Sequence, residues 1–273
     1  MTTADVDPTT AMVMRGDWGD RSAFLRFAVE YARSFPLVAE ADGEIVATGT
    51  GTANGPVGWI GGIFVDAACR KSGLGTAITL SVMDALRDAG CRSFVLVASQ
   101  DGRRIYERLG FEVQTFYEIL ASQGGAKSHD PAPDAIADGA LAEETLEQMI
   151  AIDRVATGED RAALLTTFAS PSTTRLESGV GGLDGFAVRA PWGGWATIAA
   201  EPAVGVALLE NRRRTAAVDH RVSSGLPLEN REGRERLLAA GWTARYRAPR
   251  MLLGDPPPWR PESLWGQFGM AVG

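Results

Sequence analysis

Cysteine, histidine and lysine are nearly absent from this chain of 273 residues, with two of each against 25 arginines. Cys69 and Cys91 make no C-x-x-C pair and no disulfide framework. His129 and His220 have no Cys or Glu at metal-ligand spacing, so zinc, other metals and His-based triads are not expected. Missing too is any uncharged apolar run long enough to span a bilayer. The opening Met1-Thr-Thr-Ala-Asp5 lacks the basic and apolar regions of a signal peptide, and the expectation is a cytoplasmic protein without a membrane partner. Nor is there a basic excess: residues 1–135 carry 12 basic and 17 acidic side chains, and the remainder 15 and 17. With a net charge of −7, the chain has no nucleic-acid footprint.

The length suits two domains. Residues 121–134, Ala-Ser-Gln-Gly-Gly-Ala-Lys-Ser-His-Asp-Pro-Ala-Pro-Asp, are small and polar with no apolar period, and read as a linker between domains 1–125 and 135–273. Before it, Phe24, Leu25, Phe27, Ala28 and Tyr31 predict a helix over 22–32. Strands follow over 37–41, 44–51 and 57–66, separated by Asp42-Gly43 and Asn54-Gly55, whose dipeptides suit turns with positive φ at both central residues. Gly61-Gly62 interrupts the third strand and points to a bulge or a close backbone approach. A helix from Leu74 ends at Gly90; strand 93–99, helix 102–109 and strand 111–120 complete a mixed α/β domain. Beyond the linker, 141–152, 160–168 and 204–213 read as helices, and 186–189 and 195–200 as strands.

An internal repeat links the two halves. Asp101-Gly-Arg-Arg-Ile-Tyr-Glu-Arg-Leu-Gly-Phe111 aligns without a gap on Glu232-Gly-Arg-Glu-Arg-Leu-Leu-Ala-Ala-Gly-Trp242, and each runs into a strand. This suggests two copies of one domain.

The chemistry concentrates in Arg70-Lys71-Ser72-Gly73-Leu74-Gly75-Thr76, between a strand and an amphipathic helix. Glycines that let the backbone close in, with the free N–H groups and positive end of a helix, make an anion cradle. The spacing is neither that of a Walker A loop nor that of a dinucleotide fingerprint, since Ile78 stands where the latter needs Gly or Ala.

Strand Ile63-Phe64-Val65, the Arg-x-x-Gly-x-Gly turn, a helix, a strand and Tyr106-Glu-Arg-Leu-Gly-Phe111 together resemble the GNAT superfamily of acetyl-CoA-dependent N-acetyltransferases over residues 20–120. The resemblance implies tandem GNAT-type domains, each a mixed, largely antiparallel twisted sheet flanked by helices. It implies that the backbone of Ile63, Phe64 and Val65 binds the pantetheine arm of acetyl-CoA. Backbone N–H groups from Lys71 through Ser72, Gly73, Leu74, Gly75 and Thr76 would take the pyrophosphate, with positive charge from Arg70 and Lys71. Tyr106 would protonate the leaving thiolate, and Arg103, Arg104 and Arg108 lie on the same helix near the adenosine end. Ala67 stands where the family usually has proline. No base for the amine's proton is evident; Glu40 and Asp66 lie at strand ends.

The second half has no such turn, and Leu237 replaces Tyr106. Its Asp153-x-x-x-x-Gly-x-x-Arg161 pattern is similar to the C-terminal domain of tandem GNAT proteins that include holothin-acyltransferase-like bacterial proteins. That likeness implies a diverged domain without acetyl-CoA that helps shape an acceptor pocket, with Asp160, Glu201 and Asp219 as acidic candidates. Trp18, Trp192 and Trp195 read as core or interface aromatics. The expected reaction is direct acetyl transfer to a small-molecule amine. A non-catalytic acyl-CoA-binding module and a protein or peptide N-acetyltransferase are the alternatives, and the oligomeric state is open.

Overall fold

The computed structural model describes residues 1–125, 141–179 and 182–273. Its contacts divide the chain into two compact units that interleave along the sequence. The first comprises Met1–Val113, Met251–Pro256 and Met270–Gly273; the second comprises Gln114–Arg250 and Pro257–Gly269.

In the first unit, helices α1 (Val6–Arg15) and α2 (Ser22–Glu30) precede strands β1 (Ser34–Ala41), β2 (Glu44–Asn54) and β3 (Val57–Val65). Helix α3 (Leu74–Asp88), strand β4 (Ser93–Val97) and helix α4 (Gln100–Arg108) follow. The sheet runs β1-β2-β3-β4, then the end of β10 (Thr243–Leu253). β1, β2 and β3 form the expected antiparallel meander. Helix α1 has no counterpart in the sequence reading because Thr9 and Thr10 sit on its buried face and break the apolar period.

The first hairpin turns as its dipeptide demands, with φ +52° at Asp42 and +81° at Gly43. The second does not. Asn54 is still in the strand, paired with Val57, and the central residues are Gly55, at φ +66°, and Pro56. Positive φ at the first central residue alone is the pattern of a II′ turn. The β2–β3 ladder holds the bulge expected at the glycine pair: Thr48 faces Phe64 while Thr50 faces Gly61, so β3 carries one extra residue, and Gly62 takes φ +61°. The main core lies between α3, α4 and the sheet, around Ile60, Val82, Met83, Leu86, Leu96, Tyr106 and Phe111.

The second unit repeats the order. Helices α5 (Glu143–Thr157) and α6 (Ala162–Phe168) come first, then β6 (Thr174–Gly179), β7 (Gly182–Arg189) and β8 (Trp195–Ala199). Helix α7 (Pro202–Thr215), strand β9 (Arg221–Pro227), helix α8 (Arg231–Ala239) and β10 complete the copy, and β11 (Leu264–Gly266) is extra. Most of β5 (Glu112–Gln123) belongs to this unit, paired antiparallel with β9 over Tyr117–Gln123. The expected linker is therefore shorter at its start. Residues 121–123 extend β5, Gly124 and Gly125 donate to the carbonyls of His220 and Arg213 at 2.8 Å, and 126–134 lie outside the described residues.

Strands β6 and β9 were not foreseen in the sequence, which offers neither one a clean alternation. The Asp153…Arg161 pattern proves to be a clamp. The Arg161 guanidinium forks onto the Asp153 carboxylate with both side chains 1% exposed, and it stacks on Phe268 at 5.4 Å. Gly158 between them takes φ +69° and ends α5.

Candidate active site

The site begins where one ladder stops. β3 pairs parallel with β4 from Val57↔Ser93 to Ile60↔Leu96, and no further. From Gly61 to Val65 the β3 edge facing β4 has no partner strand among the described residues, while the other edge keeps β2 as far as Val65↔Ala47. Ile63, Phe64 and Val65 lie on this open edge, just past the Gly62 bulge. Ile63 is half-buried toward α3, and Phe64 is buried on α1 with Met12 and Val13.

The turn after β3 leads into α3. Gly73, the N-cap of α3, brings no side-chain cap, and the first bond into the helix runs from the Ala77 N–H to the Gly73 carbonyl at 3.0 Å. The N–H groups of Leu74, Gly75 and Thr76 therefore have no partner within the helix. Lys71 at φ +65° and Gly73 at +87° supply left-handed residues of the kind that build anion nests. Ser72 steadies the turn through its hydroxyl, which donates to the Cys69 carbonyl at 2.6 Å. Helices α4 and α8 differ: the Ser99 Oγ and Asn230 Oδ1 accept the Gly102 and Gly233 N–H groups, both at 3.1 Å. A Cβ on Gly75 would meet only Ile105 at 3.5 Å and Val65 at 3.7 Å, so internal packing does not require this glycine. The space over it suits a ligand, and the donor set suits a pyrophosphate.

Arg70 does not reach into the turn. Its Nε donates to the Val65 carbonyl at 3.1 Å and its guanidinium lies over Phe64. Lys71 is exposed at the mouth. Asp66 caps the short turn at Ala67–Cys69: the Ala68 N–H, and after it Arg15 at 3.2 Å, hold its carboxyl below the usual carboxylate range. So engaged, it is a poor acceptor for an amine's proton. Glu40 is exposed at an irregularity of β1.

Tyr106 is 8% exposed on α4, edge-on to Phe111 with centroids 6.0 Å apart. Its ring lies over Gly102, where a Cβ would stand 3.0 Å from Cε2. Burial pushes the phenol up to about 12, so it holds its proton throughout the neutral range. Ile105, the preceding residue, lies beside Gly75, where an added Cβ would stand 3.5 Å from its Cδ1. Arg103 is paired with Glu107 at 2.7 Å on the exposed side of α4.

The second unit differs in the turn, in the residues at the helix end and in the space over it. Two residues, against eight in the first unit, separate β8 from α7. Glu201 is the N-cap of α7 and Pro202 its first residue, which places a carboxylate at the end and removes an N–H. Trp265 fills the space between α7 and α8: a Cβ on Gly205 or Gly233 would stand 2.0 or 2.4 Å from its ring. Its indole Nε1 donates to the Ala199 carbonyl at 3.1 Å. Sequence reasoning saw the missing turn but not this wedge. Asp160 is held by Arg154 at 3.3 Å, and Asp219 is exposed.

The Acetyltransferase (GNAT) family model matches residues 6–111. That segment is a GNAT acetyltransferase domain. Solved structures with similar folds span both units. A proposed acetyltransferase from Pyrococcus horikoshii is 19% identical with a TM-score of 0.83, covering 100% of this chain and 94% of that one. A GCN5-related N-acetyltransferase from Sphaerobacter thermophilus gives 17% and 0.63, with coverage of 95% and 96%. A tandem GNAT protein from the clavulanic acid biosynthesis pathway gives 13% and 0.58, with 93% and 97%. These establish a tandem GNAT fold; the holothin-acyltransferase-like subgroup has no counterpart among them. No curated protein matches the chain. Among the described residues no helix is long and apolar enough to cross a membrane, and no cluster of His, Cys, Asp and Glu is suited to a metal ion.

Proposed function

We propose that the chain is an acetyl-CoA-dependent N-acetyltransferase that moves an acetyl group directly to a small-molecule amine. The first unit would form the working domain, in place of the expected 1–125, and the second unit the degenerate one, in place of 135–273. The observation that carries this reading is the coincidence of three features in one unit: the open β3 edge beyond Ile60, the α3 N-terminus with Gly73 as its N-cap, and a buried Tyr106 on α4, whose neighbour Ile105 lies beside Gly75.

Acetyl-CoA, when bound, supplies the acetyl group as a thioester. The N–H groups of Lys71–Thr76 would hold its pyrophosphate, with Lys71 adding charge at the mouth of the turn while Arg70 stays folded on Val65. Ile63, Phe64 and Val65 would offer backbone hydrogen bonds along the open edge, apart from the Val65 carbonyl that Arg70 holds, and N–H groups beside the bulge would polarise a carbonyl. Tyr106 donates its proton to the departing sulfur; its high pKa keeps that proton available. The amine enters neutral and its excess proton leaves through water, since Asp66 is occupied. Neither Cys69 nor Cys91 has a histidine partner in the first unit's sequence, which favours direct transfer over an acetyl-enzyme.

Acetylation of a panel of small primary amines, followed by release of free thiol, tests this reading. Turnover on at least one amine supports it. Acetyl-CoA binding without turnover on amines or peptides would instead favour a non-catalytic binding module.

A further inference from the structure

The four residues Met270–Gly273 belong to the first unit although the thirteen before them belong to the second. Their place on the sheet follows from the glycines. A Cβ on Gly49, Gly51 or Gly58 would run into Ile78, Val82 or Leu86 of α3, so these residues face the α3 side. Gly61 faces the other way: a Cβ there would stand 2.1 Å from the Ala271 Cβ and 2.4 Å from its Cα. The segment is thus pressed flat against β3 at the first residue past the last β3–β4 pair. It lies on the face that α3 and α4 leave free.

The segment is anchored. The Asn54 Nδ2 donates to the Val272 carbonyl at 3.0 Å in a buried bond, and Val272 is fully buried. Met270 and Ala271 are half-buried, so part of each stays accessible. A second observation marks the same spot as a place for a polar ligand. The Thr50 hydroxyl is buried without a hydrogen-bond partner among the described residues, 3.5 Å from where a Cβ on Gly62 would point. An unpaired buried hydroxyl is costly unless a ligand's polar group meets it.

We propose that Met270–Gly273 is the acceptor-selecting wall of the acetyltransferase site, with Ala271 setting the width of the primary amine admitted beside the Gly61-Gly62 bulge. The inference rests on the N-acetyltransferase reading above. The cradle and Tyr106 occupy one face of the sheet, so the amine approaches from the face that Ala271 borders, and Thr50 offers it a hydrogen bond.

The test is kcat/KM for a series of primary amines of increasing width at saturating acetyl-CoA, in the full chain and in Ala271→Gly and Ala271→Val. Removing or adding one methyl-sized group in a pocket is worth roughly tenfold in discrimination. Ala271→Gly should raise the wide-to-narrow ratio of kcat/KM by about that factor and Ala271→Val should lower it, with acetyl-CoA affinity unchanged. Ala271→Gly adds no bulk and keeps the test decisive if Ala271→Val fails to fold. A ratio that stays within about twofold in a folded, acetyl-CoA-binding Ala271→Gly overturns the selector alone. Absence of transfer by the unsubstituted chain to every amine overturns the acetyltransferase reading, and the selector with it.

Discussion

Leu237 occupies in α8 the place that Tyr106 occupies in α4. Each carbonyl accepts the N–H of an aromatic five residues on, Phe111 or Trp242, at 3.0 Å, and the glycine between takes φ +90° or +88°. The two copies keep the same helix end and differ in the one side chain able to donate a proton. Tyr106→Phe is expected to lower kcat by about 100-fold, the scale of a lost general acid. Acetyl-CoA affinity, read by calorimetry, should stay within about twofold, because the phenol acts on the leaving group and not on the cradle. Unchanged turnover would make Tyr106 a packing residue.

The pH dependence follows from the direction of the phenol's shift. With its pKa raised to about 12, Tyr106 remains protonated while an amine substrate loses its own proton. The rate at fixed total amine should therefore rise with pH along the amine's titration and show no descending limb from the acid below about pH 11. A descending limb centred near the ordinary phenol value of about 10 would show that Tyr106 is not the donor, or is not buried during turnover.

Gly75 separates packing from ligand binding. Because an added Cβ would make only ordinary contacts with Ile105 and Val65, Gly75→Ala should fold with little change in stability. Gly75→Val places a branched side chain where the pyrophosphate approaches the α3 N-terminus. It should weaken acetyl-CoA by roughly tenfold or more, about the loss of one charge-assisted hydrogen bond. Equal affinities in the two variants and the unsubstituted protein would remove the cradle from α3.

The meander, the bulge, the Gly-rich turn before α3 and the repeat were all legible because each is written locally. Asp42-Gly43 demands its turn, Gly61-Gly62 its irregularity, and Gly110 and Gly241 end matching helices before buried aromatics. What escaped was written at long range or in polar residues. α1 hides behind Thr9 and Thr10, and the Asn54-Gly55 turn is displaced one residue by Pro56. Arg70 folds back on Val65 because a strand-end carbonyl lies within its reach. Trp265 reaches α7 and α8, and Ala271 reaches Gly61, across separations that no local pattern encodes.

Two buried arginines of the second unit have opposite energetics. Arg161 is forked onto Asp153, so Asp153→Ala strips a buried cation of its bidentate partner and should cost about 3–5 kcal/mol in urea unfolding. Arg212 lacks an acidic partner among the described residues. One Nη donates to the Ser223 carbonyl at 3.1 Å, the guanidinium lies over Trp195, and the other two nitrogens have no partner. Burial, and then neighbouring Arg189, depress its pKa to about 9. Burial thus works against the cation without removing its charge. Arg212→Met should stabilise the chain by about 1 kcal/mol at pH 7. A destabilised variant would show that the Ser223 bond and the Trp195 stacking outweigh the desolvation.

The central claim is one working cradle in a chain built from two copies. Calorimetric titration of the full chain with acetyl-CoA, at low and at high salt, tests it most directly. The expected result is one molecule per chain, bound more weakly at high salt because the phosphates meet exposed positive charge and a helix end. Two molecules per chain would contradict the closure of the second copy by Glu201, Pro202 and Trp265, and no binding would contradict the cradle itself.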